Sequence, residues 1–110
     1  MIDWSHVRRL KEEVGPEDFD EMLPLFYSEI ETAVRRVEAS GSAEQLARDL
    51  HYLRSGALNL GFRRLSQLCA EGEKLADQGK SDTVDIPEIR ACYLASRDAF
   101  AAGLSDLDAA

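Results

Sequence analysis

The segment Ala43–Gly61, AEQLARDLHYLRSGALNLG, is where the fold can first be read. In it Leu46, Leu50, Leu53, Ala57 and Leu60 recur at alternating spacings of four and three residues. At about 100° per residue these side chains share one side of a helix, so the segment reads as an amphipathic helix from about Ala43 to Leu60 with its leucine face turned to a core. Ser42 supplies an N-cap before it and Gly61 a stop after it.

The same period continues on both sides. Toward the N-terminus, Phe19, Met22, Leu23, Phe26, Ile30, Val34 and Val37 mark a helix from about Glu17 to Ala39, closed by Ser40-Gly41-Ser42. Pro24 falls inside that run, and an interior proline removes a backbone hydrogen bond. The reading therefore predicts a kink at Pro24, or a helix start nearer Pro24 than Pro16. Upstream, a short helix from about Trp4 to Val14, capped by Asp3 and stopped by Gly15-Pro16, is expected to lie as a lid on the bundle with Trp4 packed against it. Toward the C-terminus, Phe62, Leu65, Leu68, Cys69, Leu75 and Ala76 define a helix from about Phe62 to Gln78. After the polar turn Gly79-Lys80-Ser81-Asp82, a last helix from about Ile86 to Leu107 carries Ile86, Ile89, Tyr93, Ser96, Phe100 and Leu104 on one stripe. No strand-type alternation appears. The predicted class is all-α: an antiparallel four-helix bundle with a short additional N-terminal helix, one domain over residues 1–110.

Composition narrows the function classes. The chain has 110 residues, a formal net charge of -8, 45% hydrophobic and 31% charged residues, and a pI near 4.7. A domain of about 100 to 150 residues hides more than half of its unfolded surface, so this length supports a core. The acidic balance argues against nucleic acid, which selects basic surfaces. No run approaches the roughly 20 apolar residues of a membrane span, and the start Met1-Ile2-Asp3-Trp4 lacks a secretory signal. A cytoplasmic, free-standing chain is the expectation. Cys69 and Cys92 sit singly inside apolar stripes and read as small core residues, with no metal site implied. His6 reads as a surface residue without a role. Arg63 and Arg64 open a helix, where the macrodipole disfavours cations.

His51 stands apart because it falls nearly opposite the leucine stripe of its own helix and is expected to face solvent. Its neighbours at helical spacing are Glu44, Ala47, Arg48, Arg54, Ser55 and Leu58. From residue 48 to residue 64, four arginines face Asp49 alone, a local charge of +3 in an acidic chain. On spacing alone, His51 is either a solvated surface residue or the centre of a site for a phosphoryl group or an acidic partner. The chemistry of the second reading is sound: a neutral imidazole can accept a phosphoryl group on a ring nitrogen, and a guanidinium can stabilise the charge gained.

The stretch from His51 through Gly61, HYLRSGALNLG, followed by Leu65, Leu68 and Cys69, resembles the signature of histidine-containing phosphotransfer (HPt) domains. In that family a histidine is followed by a leucine, a lysine and a glycine, then small residues, Asn-Leu-Gly and a Leu-x-x-x-Cys element. Arg54 stands where the family has lysine, and Ser55 where it has glycine, with a glycine displaced to Gly56. The resemblance implies a phosphorelay intermediate without kinase activity of its own. His51 is then the phosphoryl acceptor, Arg54 and Arg48 hold phosphate or partner carboxylates, Ser55, Gly56 and Leu58 form the docking surface, and Asn59 and Gly61 shape the helix end. It also implies receiver domains of response regulators and of a hybrid sensor histidine kinase as partners, a monomeric state, and Mg²⁺ on the partner receiver only, with no cofactor on this chain. Three rivals come from other classes. One is a non-transferring helical adaptor in which His51 is incidental. A His51–Ser55 enzyme lacks a third group to orient the histidine, and a histidine-kinase dimerisation hairpin lacks a nucleotide-binding loop here.

Overall fold

The computed structural model describes residues 1–109 and consists of helices α1 (Trp4–Val14), α2 (Pro16–Ala39), α3 (Ala43–Leu60), α4 (Arg63–Asp77) and α5 (Ile86–Ala109), with a 3-10 turn at Ser81–Thr83. Helices α2 to α5 close into a four-membered ring and α1 lies against α2. The directions alternate. Arg36 of α2 sits over the Tyr52 ring of α3, while Ile30, earlier in α2, faces Gly56, later in α3. Glu38 of α2 pairs with Arg90 near the start of α5, and Tyr27 meets Phe100 further along it. The architecture is the all-α bundle that the periodicity predicts, 46 Å long and about 20 Å across.

The apolar stripes are the core. Leu46, Leu50, Leu53, Ala57 and Leu60 are all buried, as are Phe19, Ile30, Val34 and Val37 of α2 and Ile89, Tyr93, Ser96 and Phe100 of α5. Trp4 brings α1 onto the bundle by stacking on Phe100 with ring centroids 5.6 Å apart, over the bare backbone of Gly103. Cys69 and Cys92 are buried free thiols. Burial pushes the Cys69 thiol up to about 12, so it stays protonated and behaves as a small apolar filler.

The delayed start near Pro24, one of the two outcomes the sequence allows, does not occur. Helix α2 begins at Pro16 and runs through Pro24. At the first helical position a proline sacrifices no hydrogen bond. At Pro24 it does, but Pro24 and Asp20, whose carbonyl loses its donor, are both exposed, so water can take the donor's place.

The corner between α3 and α4 is held unusually firmly. Gly61 adopts φ 76, donates to the Leu58 carbonyl, and is followed by Phe62 donating to Ala57, the two bonds of a Schellman stop. The first residues of the chain then clasp this corner: Asp3 N–H donates to Gly61 at 2.7 Å and Arg63 N–H to Met1 at 3.0 Å. A side chain at Gly61 would meet the Asp3 carbonyl at 3.0 Å, so both the backbone angle and the close approach require glycine.

Across the bundle, Arg90 of α5 ties to Glu38 at 2.7 Å and Glu31 at 3.6 Å on α2. The Arg90 guanidinium holds Glu38 below the ordinary carboxylate range, and the Tyr93 hydroxyl, followed by Arg90, does the same for Glu31. A lowered folded value means stability that is present above the ordinary value of 4.5 and is lost as pH falls through the lowered folded values. Arg90→Leu is therefore expected to cost less than about 1 kcal/mol at neutral pH, the pairs being partly exposed. It should also flatten the fall in melting temperature below pH 4.5, which thermal melts across that range will read.

Candidate functional site

Helix α3 turns His51 outward because its neighbours Leu50 and Leu53 are fully buried on the opposite side. The His51 side chain is 62% exposed. Its main contacts come from Arg54, one turn later on α3, and from Glu73 of α4, which the pattern-based reading missed. Nδ1 lies 2.9 Å from Glu73 Oε1 and 2.8 Å from Arg54 Nη2. Arg54 Nε in turn sits 2.7 Å from Glu73 Oε2. That Nε is buried without a well-aligned acceptor, so charge and not a hydrogen bond holds the pair there.

The three groups compete at one atom. A carboxylate only accepts and a guanidinium only donates, so Nδ1 either donates to Glu73 or accepts from Arg54. In the first arrangement the Nδ1–H tautomer leaves a lone pair on Nε2. That nitrogen has no hydrogen-bond partner among the described residues, and its ring is exposed. The Glu73-bonded tautomer is thus the one with a nucleophile pointing out of the protein.

Glu73 reaches the ring because α3 and α4 approach closely one residue earlier on each helix. Leu50 packs where a side chain at Gly72 would otherwise sit, with Leu50 Cδ1 2.9 Å from the place a Cβ would occupy.

Around this centre the expected site residues divide. Ser55 is exposed, but its hydroxyl donates to the His51 carbonyl at 3.1 Å, turned back onto its own helix. Leu58 is 55% exposed on the His51 side of α3 and borders a groove of about 430 Å³ shared with Asn59, Arg63 and Gln67. Arg48 is exposed and forms no ion pair with a described residue. Gly56 does not join the docking surface expected of it. It is half-buried and turned toward α2, where an added Cβ would touch Ile30 Cγ1 at 3.4 Å. The physical reason is angular, since five residues carry Gly56 about 140° round the helix from His51.

Two further expectations need correction. The charge of +3 along residues 48–64 is largely compensated in space: Arg54 by Glu73, Arg63 by Asp3 at 3.2 Å and Arg64 by Glu88 at 3.9 Å. These last two pairs also explain how cations are tolerated at the start of α4. His6 is not an idle surface residue. It is half-buried, and its Nε2 lies 2.8 Å from the Asn59 carbonyl, satisfying one of the orphan acceptors at the end of α3.

Among the described residues no group of three or more His, Cys, Asp or Glu is placed to hold a metal ion. Among the described residues no helix is long and apolar enough to cross a membrane.

Neither a curated protein nor a solved structure matches the chain significantly. A family model does. The Hpt domain model matches residues 6–110, which takes in the whole bundle and the helix that carries His51. With its outward-facing histidine on the third helix of an all-α bundle, the chain belongs to the Hpt domain family.

Proposed function

We propose that this chain is a phosphocarrier in a multistep phosphorelay. His51 takes a phosphoryl group from the aspartyl phosphate of one receiver domain, such as that of a hybrid sensor histidine kinase, and passes it to the receiver of a response regulator. The carrying observation is the exposed His51 ring with Nδ1 engaged inside the protein and Nε2 open. In the transfer, the Nε2 lone pair forms the bond to phosphorus while the bond to the aspartyl oxygen breaks, its electron pair returning to the aspartate carboxylate. The ring becomes cationic, and the Glu73 carboxylate offsets that charge. Arg54 faces both the ring and Glu73, and can turn toward the phosphoryl oxygens, which add about -1.5 to -2 charges. Arg48, Ser55 and Leu58 surround the ring as the docking surface. The receiver brings Mg²⁺ and its acidic pocket, while this chain acts as a cytoplasmic monomer without kinase activity.

The test is transfer from a panel of phosphorylated receivers to the purified chain, read by intact mass and by acid lability of the product. The expected result is one acid-labile phosphoryl group on the wild type and none on His51→Gln. Transfer that survives in His51→Gln would put the phosphoryl acceptor elsewhere on the chain, and receivers that bind without ever transferring would make the chain a helical adaptor instead.

A further inference from the structure

Resting on the reading of His51 as phosphoryl acceptor, we infer that Glu73 and Arg54 together set the lifetime of the phosphoryl group on His51 by deciding whether Nδ1 keeps its proton. Once Nε2 is bonded to phosphorus, Nδ1 is the one ring nitrogen that can still gain or lose a proton. With that proton in place, the P–N bond breaks with its electron pair going to Nε2, and a neutral imidazole departs. Without it, the departing group is an imidazolate anion, a far poorer leaving group. The phosphorus passes to a partner carboxylate, or to water, which gives up a proton and yields inorganic phosphate.

The contacts at Nδ1 push that proton in opposite directions. Glu73 Oε1, at 2.9 Å, accepts from Nδ1–H and its charge favours the cationic ring. Arg54 Nη2, at 2.8 Å from the same nitrogen, places a positive charge against it. The Glu73 side chain is 16% exposed and that of Arg54 34%, so solvent screens both less than it screens an open surface pair. The other charged groups at helical spacing are Arg48 and Glu44, one and two turns earlier on α3, and Asp77, one turn after Glu73 on α4, while Arg36 of α2 lies over the Tyr52 ring; among the described residues none of them is hydrogen-bonded or ion-paired to His51. Glu73 is a positioning residue here, and Arg54 plays this part in addition to its contact with the phosphoryl oxygens. Neither forms a covalent bond in the transfer, and together they tune how readily His51 lets its cargo go.

Phosphoramidate, a small P–N donor, can load His51 without any receiver. Loss of the group is then followed by intact mass across a pH series in the wild type, Glu73→Gln and Arg54→Gln, with His51→Gln subtracting any phosphorylation of His6. For Glu73→Gln, the pH at which the loss rate is half-maximal is expected to fall by about one unit, making loss about tenfold slower above it. For Arg54→Gln that pH is expected to rise. Mere loosening of the site would move both variants the same way. An unmoved midpoint, or two shifts of one sign, overturns the inference, as does failure of phosphoramidate to load the wild-type ring, since Nε2 is then not open. Opposed shifts in a chain that takes no phosphoryl group from any receiver would overturn the relay reading alone.

Discussion

Arg54→Glu is expected to slow phosphoryl transfer to His51 by more than about a hundredfold while leaving the helical content unchanged. Removing a charge-assisted hydrogen bond costs about 1.5–3 kcal/mol, and each 1.36 kcal/mol is a factor of ten in rate. Neutral Arg54→Gln should therefore lose about 10-fold to 100-fold. Reversal adds to that, because a new carboxylate would stand beside Glu73, now without the cation 2.7 Å away, at the place where the phosphoryl charge must arrive. Arg54→Lys should keep part of the rate, since it retains the charge but not the planar fork that faces Nδ1 and Glu73 together. The position is a partly exposed site on a helix whose other face is buried, so circular dichroism should not change. Arg54→Glu transferring at the wild-type rate would show that the guanidinium has no part in the reaction.

What could be read in the sequence, and what could not, follows from distance along the chain. Periodicity reports burial directly, so the stripe from Leu46 to Leu60 and the outward direction of His51 were both legible in α3 alone. Arg54 was legible for the same reason, three residues from His51 on one helix. Glu73 was not, because it lies 22 residues away on α4 and contacts the ring only through helix packing. A weak signal existed. Glu73 follows Leu65 and Cys69 at helical spacing, so it is a carboxylate on the edge of a buried stripe, and such a group needs a partner. The compensation of Arg63 by Asp3 and of Arg64 by Glu88 was hidden in the same way, since counting charges along a window cannot see carboxylates brought in from α5 or the N-terminus.

The contact that brings Glu73 to His51 rests on a volume exchange one residue earlier, and a double-mutant cycle should expose it. Leu50 is fully buried, and Leu50→Ala is expected to cost about 2–5 kcal/mol, the usual range for a leucine cavity. Gly72→Ala gains up to about 1 kcal/mol in helix propensity, but sets a methyl group 2.9 Å from Leu50 Cδ1 and 3.4 Å from Val84 Cγ1. With Leu50 enclosed on every side, overpacking should win and cost about 1–3 kcal/mol. Together the two changes relieve each other: the methyl group enters the space that the leucine vacates, and the helix keeps its better residue. The double variant should be about 1–2 kcal/mol more stable than the two single costs added together, as measured by denaturant unfolding. Additive costs would mean that the methyl group and the Leu50 side chain do not compete for this space. The same cycle reaches the site, because the single variant Gly72→Ala forces α4 away from α3 at the level of His51 and Glu73. Its phosphotransfer should weaken more than its stability loss explains, and the Leu50→Ala partner should restore part of it, since what the leucine and the missing side chain jointly set is the helix spacing at which a carboxylate from α4 can reach a ring on α3.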